Sequence, residues 1–268
     1  VAAVMALSAR SSFNAEVNGS RFYARLWHGL LAAVVAGSLV TQVVLTAQGL
    51  PGPDGVVEPV VVRFVRLFSY FTIQSNILLL IVAVTLAVNP ERDGRLWRVV
   101  RLDAVLGIII TGLVYATVLA GQANPTGAGW WSNLGFHYVA PWWALLGWLL
   151  FGPRSRMDKR TLGWAVVWPV LWIGYTFAHG AVTDWYPYPF ASVTDIGYGA
   201  AVRNMVFVVL IAVLFGAILW GLDRRLPGGR PVTSIPVPDA RRDELVVCAD
   251  PGAAGDTGVS RAGVERQR

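Results

Sequence analysis

The stretch "FSYFTIQSN", Phe68 to Asn76, carries four kinds of polar side chain at the head of an apolar run that continues "ILLLIVAVTLAV". A threonine hydroxyl is a weak nucleophile until a base within hydrogen-bond reach takes its proton, and histidine is the usual base. Thr72 is the candidate nucleophile here, and His137, in "NLGFHYVAPW", is the candidate base. Amide donors beside such a pair stabilise a developing oxyanion, a role open to Asn76 or Asn133. A third group normally orients the base. His179, Asp184 and Tyr188 compete for it, and the sequence does not rank them. Helical periodicity puts Ser69, Thr72 and Asn76 on one face and Asn133 one turn from His137. Pro141 has no N–H, so it deprives the His137 carbonyl of its helical partner and predicts a kink below the histidine. Gln74 and Ser75 point elsewhere and read as polar filler.

The elements that must position these residues are membrane spans. Of the 268 residues, 55% are hydrophobic and 14% charged, too apolar a balance for an ordinary soluble domain. Apolar segments of about 20 residues recur, the length that crosses roughly 30 Å of hydrocarbon. The expected fold is all-α: a polytopic membrane helical bundle of six transmembrane helices with N- and C-termini cytoplasmic. The spans read as Leu26–Thr46, Leu67–Val88, Leu102–Gln122, Leu134–Phe151, Leu162–Val182 and Ala200–Leu222. They divide the chain into an N-terminal cytoplasmic flank (1–24), the transmembrane domain (25–223) and a disordered cytoplasmic tail (224–268) rich in Gly, Pro, Asp and Arg. The apolar start "VAAVMAL" precedes Arg10, the wrong order for a signal peptide.

Charge sets the orientation. Arg92, Arg95, Arg98 and Arg101 gather in one connection, and Arg154, Arg156, Lys159 and Arg160 in another. Arg10, Arg21 and Arg25 precede the first span, and Arg224 and Arg225 follow the last, whereas "GQANPTGAGWWSN" carries no charge. Positive-inside bias therefore puts both termini in the cytoplasm. Trp130, Trp131, Trp185 and Tyr186 form an outer aromatic belt, and Trp27, Trp97 and Trp220 an inner one. With its arginines spent on topology and on anionic headgroups, the net charge of +6 needs no nucleic-acid partner. A single cysteine, Cys248, rules out an intrachain disulfide or a cysteine-rich metal site. One lysine against many arginines, with Ala and Val abundant, associates the chain with a GC-rich bacterial genome, and so with a bacterial plasma membrane.

Orientation then makes a constellation. Thr72 falls about five residues, roughly 7 Å, below the outer boundary; His137 and His179 enter at the same depth from two other spans. His28 lies at the opposite end. Simpler roles compete with catalysis. A span threonine commonly bonds the carbonyl four residues back, here Phe68, and Asn76 could join helices for about 1 kcal/mol. The Trp164, Trp168, Trp172 stripe suits packing or lipid contact. Ionisable residues at membrane depth, by contrast, mark functional sites. The leading reading is an intramembrane lipid-ester hydrolase without cofactor. A non-enzymatic binder or transporter of a small or lipidic solute is the alternative, although transporter sites lie near the midplane. Metal or haem ligation by His137 and His179 ranks last, because no H-E-x-x-H or similar spacing occurs.

At these residues the chain resembles a known family. "FTIQSN" around Thr72, "NLGFHYVAPW" around His137 and "YTFAHGAVTDWYPYPF" from Tyr175 to Phe190 resemble the androgen-induced-protein/FAR family of multispan membrane proteins. The likeness covers the six spans, not the tails. Its eukaryotic members include threonine hydrolases that cleave fatty-acid esters of hydroxy fatty acids. The resemblance implies a nucleophilic Thr72, a catalytic His137 and a lipid or fatty-acid-ester substrate. It also implies that "WYPYPF" is structural or substrate-lining. Ser69, Asn76, Asn133, His179, Trp131 and Tyr188 complete the expected substrate-binding or orienting set. The second span departs from the family pattern in staying polar after the threonine.

Overall fold

A computed structural model describes residues 2–49, 56–152 and 156–226, with side chains from residue 19 onward. These residues are helical, with no strand among them. Among the described residues nine α-helices run in chain order: α1 Ala2–Gln48, α2 Val60–Ser69, α3 Phe71–Val88, α4 Arg95–Val114, α5 Gly127–Leu134, α6 Ala140–Phe151, α7 Lys159–Ala165, α8 Val167–Thr183 and α9 Val193–Arg225. Six stretches of the described residues are long and apolar enough to cross a membrane: Gly19–Gln48, Phe71–Val88, Arg95–Leu119, Gly127–Phe151, Lys159–Thr183 and Val193–Arg225. The chain therefore has the build of an integral membrane protein. From residue 227 onward, the expected disordered tail lies outside the described residues.

The spans agree with the sequence in number and place but are not plain rods. The flank expected before residue 25 continues into the first span as one helix, α1. Two spans end their first helix in a π-helical turn or begin their second with one: Tyr115–Leu119 closes the third span, and Gly135–Val139 joins α5 to α6. The fifth span breaks at Val166. Pro169 lies in the first turn beyond it, where its missing N–H costs least. The sixth bends at Gly197, whose φ of 77° suits a residue without Cβ. Three arginines expected in a loop, Arg95, Arg98 and Arg101, instead belong to α4. Arg98 forms a double hydrogen bond with Asp93 at 2.8 and 2.7 Å, and buried Arg101 donates to the Gly152 carbonyl.

The first four spans share the central core. Leu31, Val35, Leu79, Ala83, Ile108, Ala140 and Ala144 are buried there against one another. Close approach is achieved with small residues, as is common between membrane helices. A Cβ on Gly112 would lie 2.7 Å from the Pro141 ring and 3.0 Å from the His137 carbonyl. The fifth and sixth spans join through a second cluster of Leu102, Val105, Ile109, Trp148, Ala165 and Leu219. Space remains between these outer spans and the central four.

Candidate functional site

The site begins with a break in the backbone. α2 ends at Ser69, Tyr70 turns extended (ψ 127°), and α3 restarts at Phe71. The expected single helix over Leu67–Val88 is thus two, and Ser69 does not share a face with Thr72 and Asn76. Carbonyls freed by a break inside apolar surroundings need partners. Two are supplied by side chains: Gln74 Nε2 donates to the Phe68 carbonyl at 2.9 Å, and Trp172 Nε1 donates to the Ser69 carbonyl at 2.9 Å. Trp168 Nε1 in turn donates to Gln74 Oε1 at 3.2 Å. Gln74 is therefore a structural tie rather than filler, and two members of the tryptophan stripe anchor the same break. Trp164 is exposed.

The break places Thr72 in the first turn of α3, where a backbone N–H has no intrahelical acceptor. The Tyr188 hydroxyl meets it. Thr72 N–H donates to the phenol oxygen at 3.1 Å, and Thr72 Oγ1 lies 3.2 Å from the same oxygen. The back-bond to Phe68 is not made. Because the phenol oxygen already accepts from the backbone, its own hydrogen suits Oγ1. That leaves the threonine hydroxyl hydrogen free for another acceptor. Burial pushes the Tyr188 phenol up to about 12, so it stays protonated and able to donate. Tyr188 is held by the proline-flanked loop after α8: it stacks on Phe190 at 5.2 Å, and Asn204 Nδ2 donates to the Phe190 carbonyl at 3.0 Å.

His137 sits in the π-helical turn Gly135–Val139. Pro141 removes the usual donor to its carbonyl, and the extra residue of the π turn absorbs the irregularity; the Ala140 N–H reaches back to Gly135. The imidazole stacks on Tyr115, at 3.9 Å between centroids and 18° between planes. Tyr115 itself opens the other π-helical turn. His137 Nδ1 lies 3.2 Å from the Asn133 carbonyl. A carbonyl only accepts, so Nδ1 carries the hydrogen and Nε2 of the neutral ring is the basic nitrogen.

Thr72 and His137 open onto one vestibule of about 440 Å³, which also takes in Gln42, Tyr70, Tyr115, Gln122 and Tyr188. No hydrogen bond joins the threonine to the histidine among the described residues. On its other side Thr72 borders a second cavity of about 330 Å³, walled mostly by apolar side chains of the second, third, fifth and sixth spans. Thr72, Tyr188 and Leu119 belong to both walls. The Thr72–Tyr188 pair is thus a partition between an apolar cavity and a more polar vestibule.

The other expected residues lie outside this partition. Ser69 Oγ donates to the Val65 carbonyl at 2.7 Å and meets the Tyr175 hydroxyl at 2.6 Å. Asn76 turns its amide onto the Thr72 carbonyl at 2.8 Å, and Asn133 serves His137 through its backbone rather than its side chain. Neither amide borders either cavity. His179 packs against Tyr175 and Trp185, with Nδ1 3.3 Å from Thr183 Oγ1. Trp131, expected near substrate, is 67% exposed and stands edge-on to Trp130. Its charge-free loop and large ring suit a boundary residue better than a pocket wall. Asp184 ends α8 in a left-handed conformation, φ 53°. His28 is buried beside Phe151, with Nδ1 2.7 Å from the Ala24 carbonyl. Among the described residues no three His, Cys, Asp or Glu converge as metal ligands.

Sequence reasoning missed Tyr115 and Gln42, which border the vestibule, and Asp103, which borders the apolar cavity. A lone acid within an apolar run was signal enough for Asp103; Tyr115 and Gln42 carried none. Comparison of the chain with protein-family models, curated proteins and solved structures finds no match.

Proposed function

We propose that the protein is an intramembrane lipid-ester hydrolase in which Thr72 is the nucleophile and His137 the general base. The observation that carries this reading is the position of Thr72 between an apolar cavity, suited to an acyl chain, and a vestibule bordered by a histidine with a free basic nitrogen. The proton of the Thr72 hydroxyl passes to His137 Nε2 as Oγ1 bonds the ester carbonyl carbon. The carbonyl oxygen gains the electron pair and takes a hydrogen bond from Tyr188, whose hydroxyl hydrogen Oγ1 no longer holds. The positive end of α3 favours the same charge. Collapse breaks the ester C–O bond, and His137 returns the proton to the departing alcohol. Water, deprotonated by His137, then cleaves the acyl-threonine and restores both residues. Bound ester draws Thr72 and His137 onto the same carbonyl, since catalytic hydrogen bonds commonly tighten only with substrate present.

The bacterial plasma membrane, cytoplasmic termini and an outer-leaflet site belong to the same proposal, supported by the arginine distribution. The test is covalent labelling of purified protein by a fluorophosphonate. Thr72→Ala and His137→Ala should both abolish it, and a long-chain ester should compete. Labelling that persists undiminished in Thr72→Ala refutes the nucleophile. A binder or carrier of lipidic solute is the second reading, favoured by the lack of a direct Thr72–His137 bond. Ligand-dependent flux in proteoliposomes with no product released would select it.

A further inference from the structure

The apolar cavity has a second polar end. Asp103 lies inside the third span, is 8% exposed and borders the cavity that begins at Thr72. Among the described residues its carboxyl forms no hydrogen bond and joins no ion pair. Asp103, Gly107 and Thr111 recur every four residues, so they share one face of α4, and all three border the cavity. The Thr111 hydroxyl is also buried without a partner. Gly107 keeps the face open where Ser75 and Trp168 crowd in; a Cβ there would lie 2.9 Å from Ser75 Oγ. The result is a polar line along one wall of an otherwise apolar space.

A lone carboxylate surrounded by apolar groups costs several kcal/mol, and breaking even with water requires a donor. Among the described residues none supplies one at Asp103. Asp103 and Thr111 are separated by about 12 Å along the helix axis, and Thr72 lines the same cavity, so one extended alkyl chain can run along this wall from Asp103 past Thr111.

We propose that Asp103 receives a hydrogen-bond donor, a hydroxyl or a protonated amine, carried at the far end of a linear amphiphile whose chain lies along Gly107 and Thr111 towards Thr72. The inference rests on the apolar cavity as a chain site and not on cleavage at Thr72. An ammonium would pair with the ionised acid; a hydroxyl would bridge to either protonation state.

Trp168 and Trp172 border the cavity, so tryptophan quenching reports occupancy. The full chain in lipid nanodiscs is titrated with dodecylamine, 1-dodecanol and dodecane, each corrected for partition into empty discs. The amine or the alcohol should bind about tenfold tighter than dodecane, as one hydrogen bond to a charged or buried polar group provides. Asp103→Leu should abolish that advantage for both. Asp103→Asn should abolish it for the amine while sparing the alcohol, which separates the two donors. These affinities are read without any cleavage, whereas the hydrolase reading is read by fluorophosphonate labelling of Thr72, so failure of the hydrolase reading and failure of this one give different results. As a second measurement on unmutated protein, dicyclohexylcarbodiimide should add to Asp103, detected by peptide mass spectrometry, and the preferred ligand should slow the addition. Equal binding of dodecane and the headed ligands, or an advantage that survives Asp103→Leu, overturns the proposal. So does carbodiimide addition to Asp103 at a rate that no headed ligand changes.

Discussion

A single phenol serves Thr72 twice, through its backbone and through its hydroxyl, and this makes Tyr188 the most informative residue to alter. Tyr188→Phe keeps the ring that stacks on Phe190 but removes both hydrogen bonds. The expected loss of stability is about 0.5–1.5 kcal/mol per bond, somewhat offset because the partners are neutral. The pH dependence follows from burial. Tyr188 titrates at about 12 when folded, against about 10 in an unfolded chain. Its contribution is therefore complete below about pH 10 and is lost as pH rises towards 12. Melting curves in detergent from neutral to strongly alkaline pH should show that loss in the parent and less of it in Tyr188→Phe. Thr72→Ser keeps Oγ1 and should retain fluorophosphonate labelling that Thr72→Ala loses.

At the scale of elements, the spans were legible and their interruptions were not. Six apolar stretches of sufficient length are visible directly in the composition, since lipid demands that length. The break at Tyr70 is not, because "LFSYFTIQSN" contains neither Gly nor Pro. It is held from outside by Gln74, Trp172 and Tyr188, partners distant in sequence. That Thr72 and His137 border one vestibule was readable from their common depth, yet the roles of Asn133 and Gln74 depend on backbone geometry that spacing does not encode. Pro141 announced a kink but not the π turn that accommodates it, and Tyr115–Leu119 has no proline to announce its own. The contact between α4 and α6 gives a direct test. Gly112→Ala forces a Cβ against Pro141 and the His137 carbonyl. Overpacking of this kind costs about 1–3 kcal/mol, read as a lower melting temperature. It should also reduce labelling of Thr72 by displacing the histidine.

At the scale of the whole molecule, topology is testable without altering the bundle. Cys248 is the only cysteine in the sequence. Cytoplasmic termini predict that a membrane-impermeant maleimide labels it only after cells are permeabilised; labelling of intact cells would invert the bundle. The partition formed by Thr72 and Tyr188 has a further consequence for any reaction there. Under the proposed hydrolysis, cleavage of an ester at Thr72 would leave the acyl fragment on the apolar side and the alcohol fragment in the vestibule. The two products then leave into different phases, one into lipid and one towards water. Their chance of meeting again at Thr72 falls with the volume of each phase. A hydrolase built this way runs forward by mass action, and its rate should respond to how quickly the surrounding bilayer carries fatty acid away.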